Sequence, residues 1–182
     1  MDTVNQTHKH TQMIVEAGLA IALAFVLHLI IIFQMPQGGS IKAANLVPLL
    51  FFAYRWGAKK GLLVGAIYGL VQFLLGMKFS IHPASIFLDY ILSYAMMGVA
   101  GWFSGSTGKA LFGAIVACFL QWCCSVISGA VVFASYAPVG QNPWLYSMVY
   151  NGMYMLPNAI INLVVVGLFY GKIMGIMNKS AS

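Results

Sequence analysis

Between Ala17 and the carboxyl terminus the chain carries a single carboxylate side chain, Asp89, and Tyr90 follows it directly. Both residues lie in the apolar segment SIFLDYILSYAMMGVAGWF. An acid in such a segment is costly unless it faces a cavity or a partner. An ionised aspartate accepts hydrogen bonds from an amine, a ring N–H or a hydroxyl, and the neighbouring tyrosine can stack or donate. The pair therefore predicts a ligand site, with a structural pair to Lys78 or His82 as the alternative.

A second group of polar side chains follows in the segment SYAPVGQNPWLYSMVYNGMY. Its aromatic rings, Tyr150 among them, can enclose a flat heteroaromatic ligand, while the amide of Asn151 both donates and accepts. An interfacial aromatic belt is the alternative, and it applies most to Trp144 and Tyr136. Tyr146 and Asn151 favour the ligand role, because asparagine has no belt function and the two lie little more than a helical turn apart.

No motif for catalysis or nucleotide binding accompanies these residues. The sequence contains no Walker A pattern, no HExxH, no GxSxG and no paired carboxylates. Its three cysteines, Cys118, Cys123 and Cys124, match no zinc or haem spacing. We therefore expect no enzyme, no metal site and no cofactor, and uphill transport would draw its energy from an ion gradient or from other subunits.

The composition indicates which kind of fold must position these side chains. Of the 182 residues 61% are hydrophobic and 7% are charged, and the mean hydropathy is +0.88. A soluble domain carries about 25% charged residues. The sequence thus predicts an all-α integral membrane protein, with one domain over residues 1–182 and a polar amino-terminal tail at residues 1–12. The net charge of +6 does not indicate nucleic-acid binding, because the basic residues are few and dispersed.

Six apolar runs predict six transmembrane helices, at residues 13–33, 41–56, 61–77, 83–103, 109–133 and 147–170. With six spans, both termini and two of the loops share one side of the membrane. The other side has only Lys42 and Lys78 as basic residues, so the positive-inside rule places both termini in the cytoplasm of a bacterial cell. The basic residues of the predicted cytoplasmic side are Lys9, Arg55, Lys59, Lys60, Lys109, Lys172 and Lys179.

This topology brings the polar side chains toward the outer face of the membrane. Asp89 comes early in the fourth helix, just after an outer loop, and Tyr146 and Asn151 begin the sixth. Gln121 and Ser125 lie in the outer half of the fifth helix. We therefore expect a pocket that opens outward and is closed on the cytoplasmic side.

The chain resembles the S components of the energy-coupling factor (ECF) vitamin transporters, of the thiamine-type family. The resemblance covers essentially the full length. It includes the six spans, Asp89 with Tyr90, the segment YRWGAKKGLLVGAIYGL, the group Tyr146, Asn151 and Gly152, and the small residues Gly18 and Ala22 on the first helix. It implies a vitamin bound with high affinity, and a first helix that docks on a transmembrane coupling subunit carried by two ATPase subunits. Small residues four apart suit such close helix packing, and packing within the same chain is the alternative.

The chain departs from that family where a thiazolium ring would bind. The family's glutamate is replaced by Asp89, its tryptophan in the first outer loop by the segment GGS at 38–40, and its histidine and tryptophan on the fifth helix by Ser125 and Phe133. Tryptophan is the best cation–π partner, worth about 0.5–2 kcal/mol. The substitutions therefore favour a ligand with a single polar ring. Pyridoxine (vitamin B6) is the first candidate, and thiamine or its pyrimidine moiety is the second. A stand-alone proton-coupled carrier is the alternative function, although one acid near the outer end offers no relay to the inner face.

Overall fold

The computed structural model describes residues 2–76, 78 and 80–179, with side chains from residue 6 to residue 177. Within these residues six helices and one two-stranded hairpin form a bundle. The elements are α1 (Asp2–Leu29), β1 (Ile31–Gln34), β2 (Ser40–Lys42), α2 (Val47–Trp56), α3 (Ala58–Leu75), α4 (Pro83–Phe103), α5 (Thr107–Val131) and α6 (Pro143–Lys179). In the described part of the chain, all helices except α2 are long and apolar enough to cross a membrane. The predicted all-α membrane fold is confirmed.

The hairpin is the main departure from the predicted spans. The first helix ends at Leu29 rather than at residue 33, and Ile31–Gln34 then pairs antiparallel with Ser40–Lys42. Three consecutive isoleucines favour the extended backbone, and the PQGG segment supplies the turn, in which Gln37 has φ 65°. The chain therefore reverses direction between β1 and β2, before α2 begins.

The bounds of the first three helices differ from those predicted. The polar segment at residues 1–12, predicted to be a tail, is helical from Asp2 onward. The second helix starts at Val47 instead of residue 41, with Pro48 in its first turn, where the missing N–H costs nothing. The ten residues of α2 measure about 15 Å. The third helix ends at Leu75, and its predicted end at residue 77 lies outside the described residues.

Close packing of α3 on α4 fixes the segment that carries the acid. Gly65 and Gly69 face the backbone of Tyr94 and Tyr90 respectively. A side chain at Gly69 would collide with the carbonyl oxygen of Tyr90. The two glycines therefore allow the helix backbones to touch, as small residues do in membrane bundles.

At the end of the bundle away from the hairpin, the two terminal helices meet through α2. Arg55 Nε lies 2.9 Å from Glu16 Oε2 on α1, and Trp56 Nε1 donates to the same oxygen at 2.8 Å. Arg55 also donates to the carbonyl of Met177 near the end of α6. The amino- and carboxyl-terminal helices thus share one end of the bundle. That this end faces the cytoplasm stays a prediction.

Candidate functional site

A cavity of about 230 Å³ lies between the hairpin and helices α4, α5 and α6. All the residues predicted to bind a ligand line it, although they come from distant parts of the chain. These residues are Asp89, Tyr90, Gln121, Ser125, Phe133, Tyr146, Tyr150 and Asn151. The fold thus gathers these side chains around one cavity, while their contacts with a ligand stay a prediction.

Asp89 lies in a π-helical segment, Ile86–Leu92, inside α4. Such segments are rare and frequent at functional sites, because the extra residue per turn redirects side chains. Ser85 Oγ donates to Asp89 Oδ2 at 2.8 Å, and Ser128 Oγ on α5 donates to the same oxygen at 2.5 Å. The other carboxylate oxygen, Oδ1, receives no hydrogen bond from the described residues, so it is available to a donor in the cavity.

The two basic residues considered as alternative partners do not pair with this aspartate. His82 caps the first turn of α4, and Lys78 Nζ lies 5.4 Å from the ring centre of Phe73. Among the described residues the ion pair is that of Arg55 with Glu16, at the opposite end of the bundle. The aspartate therefore borders the cavity without a cationic partner from the described part of the chain.

One face of α5 contributes a row of small and polar side chains. Cys118, Gln121, Ser125 and Gly129 follow one another at three- or four-residue intervals, and all line the cavity. At Gly129 a side chain would meet Ser147 Oγ of α6. The glycine therefore allows α5 and α6 to approach closely beside the cavity.

An aromatic ladder on α6 forms the facing wall. Tyr146, Tyr150 and Tyr154 recur every four residues, with ring centres 6.0 and 5.9 Å apart. Tyr136 also lines the cavity, so the belt interpretation does not describe it fully. Trp144 is 46% exposed and is not among the lining residues, which agrees with the belt alternative.

Asn151 is more strongly engaged within the protein than the sequence indicated. Its Nδ2 donates to the carbonyl oxygens of Ser147 at 2.9 Å and Ser125 at 3.3 Å, and its Oδ1 accepts from Tyr154 at 2.7 Å. The amide thus joins α5 to α6 and orients the Tyr154 hydroxyl. What it can offer a ligand is the second lone pair of Oδ1.

The turn of the hairpin covers the cavity and is held there by tyrosines of the ladder. The sequence had left open whether this first outer loop caps the pocket. Tyr146 donates to Gln37 Oε1 at 2.7 Å, and the hydroxyl of Tyr150 accepts from the Gly39 N–H at 3.0 Å and donates to the carbonyl of Pro36. At Gly39 a Cβ would lie 2.6 Å from a ring carbon of Tyr154. Glycine therefore lets the turn rest directly on the aromatic ladder.

Several residues at the site were not selected from the sequence. Ser85 had a usable signal, since it lies four residues before Asp89 on one helix. Ser128 had none, because its contact depends on how α4 packs against α5. His28 and Lys42 also line the cavity, and Lys42 Nζ lies 3.0 Å from His28 Nδ1. The sequence counted Lys42 only as a charge in an outer loop.

Fold and site together define an all-α membrane protein with a partly open cavity, which is lined by aromatic and polar side chains and is large enough for a small molecule. Residues 14–178 match the model of the thiamine transporter protein family (Thia_YuaJ), and the chain belongs to this family. It is 36% identical to the thiamine transporter ThiT of Bacillus subtilis (strain 168), covering 92% of this chain and 94% of that protein. It is 27% identical to the thiamine transporter ThiT of Lacticaseibacillus paracasei, covering 89% and 88% respectively. This is a family of transporters, in agreement with the expectation that the chain is not an enzyme and lies in the cell membrane.

Solved structures share the fold. The structure described as ThiT from Listeria monocytogenes aligns with a TM-score of 0.79 at 22% identity, over 88% of this chain and 94% of that one. A structure described as the S component of a bacterial ECF transporter aligns with a TM-score of 0.65 at 19% identity, over 92% and 98%. The family and its relatives carry thiamine in their names, and the preference for pyridoxine has no support among them.

Proposed function

We propose that this chain is the vitamin-binding S component of an ECF-type importer and that its ligand is thiamine. The observation that carries the proposal is the cavity itself, which brings a ladder of tyrosines under one hairpin together with an acid that has no cationic partner among the described residues. Family membership supports thiamine over the other vitamins considered.

The aromatic lining of the cavity supports thiamine over pyridoxine as the ligand. The preference for pyridoxine counted the tryptophans missing from the chain, whereas the cavity contains more rings than the predicted site residues supply. Tyr94, Tyr136 and Tyr154 line it in addition to the predicted Phe133, Tyr146 and Tyr150. A thiazolium ring is a cation, and tyrosine and phenylalanine faces attract cations when water is excluded. Asp89 adds a carboxyl group beside them.

The proposed assignment of roles follows from the positions of the groups. Asp89 Oδ1 accepts from the ligand's amino group or balances its cationic ring, while Tyr90 and the ladder of Tyr146 and Tyr150 stack on its flat faces. Gln121 and Ser125 supply further polar contacts from α5, and Phe133 supplies an apolar one. The hairpin turn then separates the bound vitamin from water.

Binding of the coupling module is assigned to the outer surface of α1. Gly18 and Ala22 are exposed, and nothing lies within 4 Å of the position of a Cβ at Gly18. Ala20 and Ala24 instead pack into the chain's own core. The exposed pair of small residues therefore suits a helix of another subunit, namely the transmembrane coupling protein carried by two ATPases. Its docking there is part of the proposal.

Titration of the purified protein with thiamine and with pyridoxine, each followed by tryptophan fluorescence and calorimetry, tests the ligand. We expect tight binding of thiamine and weak or no binding of pyridoxine. Replacing Asp89 by Asn should weaken thiamine binding by about 10- to 100-fold, because hydrogen bonds to charged groups contribute about 1.5–3 kcal/mol. Lys78→Gln, outside the cavity, serves as the control. Submicromolar pyridoxine binding without a response to thiamine would reject the ligand assignment.

Reconstitution separates the S component from the stand-alone carrier. Proteoliposomes that contain this chain alone, with an imposed proton gradient, should not accumulate thiamine. Vesicles that also contain the coupling subunit and both ATPases should accumulate it only with ATP. Gradient-driven uptake by the chain alone would contradict the ECF assignment and would favour the proton-coupled carrier.

A further inference from the structure

Ser128 of α5 contacts the acid without bordering the cavity. Its side chain is fully buried, and its hydroxyl donates to Asp89 Oδ2 at 2.5 Å. The cavity is lined by Ser125 and Gly129 of the same helix but not by Ser128 itself. A ligand in the cavity therefore does not touch this hydroxyl, and any effect that Ser128 has on binding must pass through the aspartate.

The two serines that share Asp89 Oδ2 differ in where they come from. Ser85 lies on α4 itself, four residues before the aspartate, so its contact moves with that helix. Ser128 lies on α5, and its contact ties the carboxyl group to a second helix. Hydroxyl-to-carboxylate hydrogen bonds of about 2.5–2.7 Å are roughly twice as strong as neutral ones. The bond from Ser128 is therefore the one that fixes the acid relative to the rest of the site.

The turn of α5 that carries Ser128 is itself fastened to α6. Ser147 Oγ donates to the carbonyl of Val126 at 2.8 Å, and Asn151 Nδ2 donates to the carbonyl of Ser125 at 3.3 Å. Both carbonyls lie within three residues of Ser128, and both donors are buried. Hydrogen bonds thus connect α6, one turn of α5 and the acid on α4. Buried polar networks of this kind are rigid when every member has its partner.

We propose that Ser128 is a positioning residue for ligand binding, which holds Asp89 so that Oδ1 stays available at a fixed distance from the tyrosine ladder of α6. The proposal rests on the cavity being the vitamin site, and it deepens that assignment by naming a residue that raises affinity without contact with the ligand. Without the Ser128 hydroxyl the carboxyl group keeps only the contact within its own helix. Binding must then order the carboxyl group again, which lowers affinity.

A double-mutant cycle tests this role. Dissociation constants for thiamine and for pyridoxine are measured with the wild type, Ser128→Ala, Asp89→Ala and the double variant. Cys124→Ala is the matched control, because it also removes one heavy atom from a buried position of α5 outside the cavity. A parallel cycle uses Ser128→Cys, which fills the site but supplies only a weak donor, so the result does not depend on the alanine variant folding. Denaturant unfolding in detergent reports that each variant is folded.

We expect Ser128→Ala to weaken thiamine binding by about tenfold, the lower end of the loss caused by removing a hydrogen bond behind a metal ligand. Ser128→Cys should weaken it by at least about threefold. In the Asp89→Ala background both changes should alter affinity by less than about twofold, because the group that Ser128 positions is gone. Cys124→Ala should also stay within about twofold of the wild type. Equal losses with and without Asp89, a similar loss in Cys124→Ala, or no loss at all would overturn the positioning role.

The two vitamins keep this result separate from the proposed function. If only pyridoxine binds and its loss in Ser128→Ala depends on Asp89, the thiamine assignment fails and the positioning role stands. If thiamine binds and the losses at the two positions are independent, the positioning role fails and the assignment stands. If neither vitamin binds, both are rejected.

Discussion

The two ends of the helix bundle are closed by different kinds of interaction. At the end shared by the termini, Glu16 accepts from both Arg55 and Trp56, and the ion-paired side chains are only 19% and 5% exposed. At the other end the hairpin rests on neutral hydrogen bonds from Tyr146 and Tyr150, and all four residues of β1 are exposed. The first end is held by a buried ion pair, the second by neutral hydrogen bonds from tyrosine hydroxyls and from the amide of Asn158 to the hairpin.

This difference implies unequal costs of opening. A neutral hydrogen bond contributes about 0.5–1.5 kcal/mol net. Removing one partner of a buried ion pair costs about 3–5 kcal/mol, because it leaves an uncompensated charge. Since local opening follows the weakest contacts, the hairpin is the part expected to separate first. We therefore expect a ligand to enter beneath the hairpin while the opposite end of the bundle stays closed.

The largest expected effect comes from breaking the charged end. Glu16→Ala leaves Arg55 without its carboxylate and removes the acceptor of Trp56, so we expect a loss of about 3 kcal/mol in the free energy of unfolding. Denaturant unfolding in detergent measures it. Lys59→Ala, an exposed residue on the same end, should change stability by less than about 0.5 kcal/mol. Equal stability of the Glu16 variant and the wild type would show that the ion pair does not hold this end together.

A smaller effect is expected at the hairpin. Tyr150→Phe removes two hydrogen bonds to the turn and Tyr146→Phe removes one. At about 1 kcal/mol per bond, amide hydrogen exchange in residues 35–42 should rise about fivefold in the Tyr146 variant and further in the Tyr150 variant. Exchange around Arg55 should not change in either variant. A rise at both ends would mean that the bundle opens as a whole.

The smallest effect, a pH dependence, concerns the charge at the base of the hairpin. Burial lowers the pKa of Lys42 to about 8. The ammonium is therefore mostly charged in the folded protein at pH 7 and mostly neutral at pH 9, whereas in the unfolded chain the lysine stays charged at both. Because the unfolded chain then binds more protons, the free energy of unfolding should rise by less than about 1 kcal/mol between pH 7 and pH 9, as denaturant unfolding in detergent measures. Lys42→Gln should remove this rise, because glutamine does not titrate. A free energy of unfolding that falls with pH in the wild type, relative to Lys42→Gln, would contradict the expectation.

Much of the site was predictable because it depends on helix periodicity. Asp89 stood out as a carboxylate in an apolar run, and the four-residue spacing of Tyr146 and Tyr150 put both rings on one face. Gln121 and Ser125 followed from their place in the outer half of the predicted fifth helix. Hydropathy alone placed these helices, since a long apolar segment that crosses a membrane must satisfy its backbone hydrogen bonds internally, as a helix does.

The hairpin and the π-helical segment were not predictable in this way. Ile30, Ile31 and Ile32 are as apolar as the helix before them, so hydropathy extended the first span to residue 33. The π-helical segment around Asp89 has no sequence signature, and its side-chain direction was set by packing against α3 and α5. Lys42 was assigned to an outer loop because charge counting ignores where a backbone turns back.

By itself the sequence determined that this chain is a bundle of apolar helices, and that one acid and several tyrosines belong to a common site. Composition and periodicity are local properties, and they decide which faces meet lipid and which meet other helices. The tertiary structure alone decided that Ser128 binds Asp89, that Asn151 joins two helices, and that Lys42 borders the cavity. Those contacts connect residues far apart in the chain, and they form only when the helices pack and the hairpin folds over them.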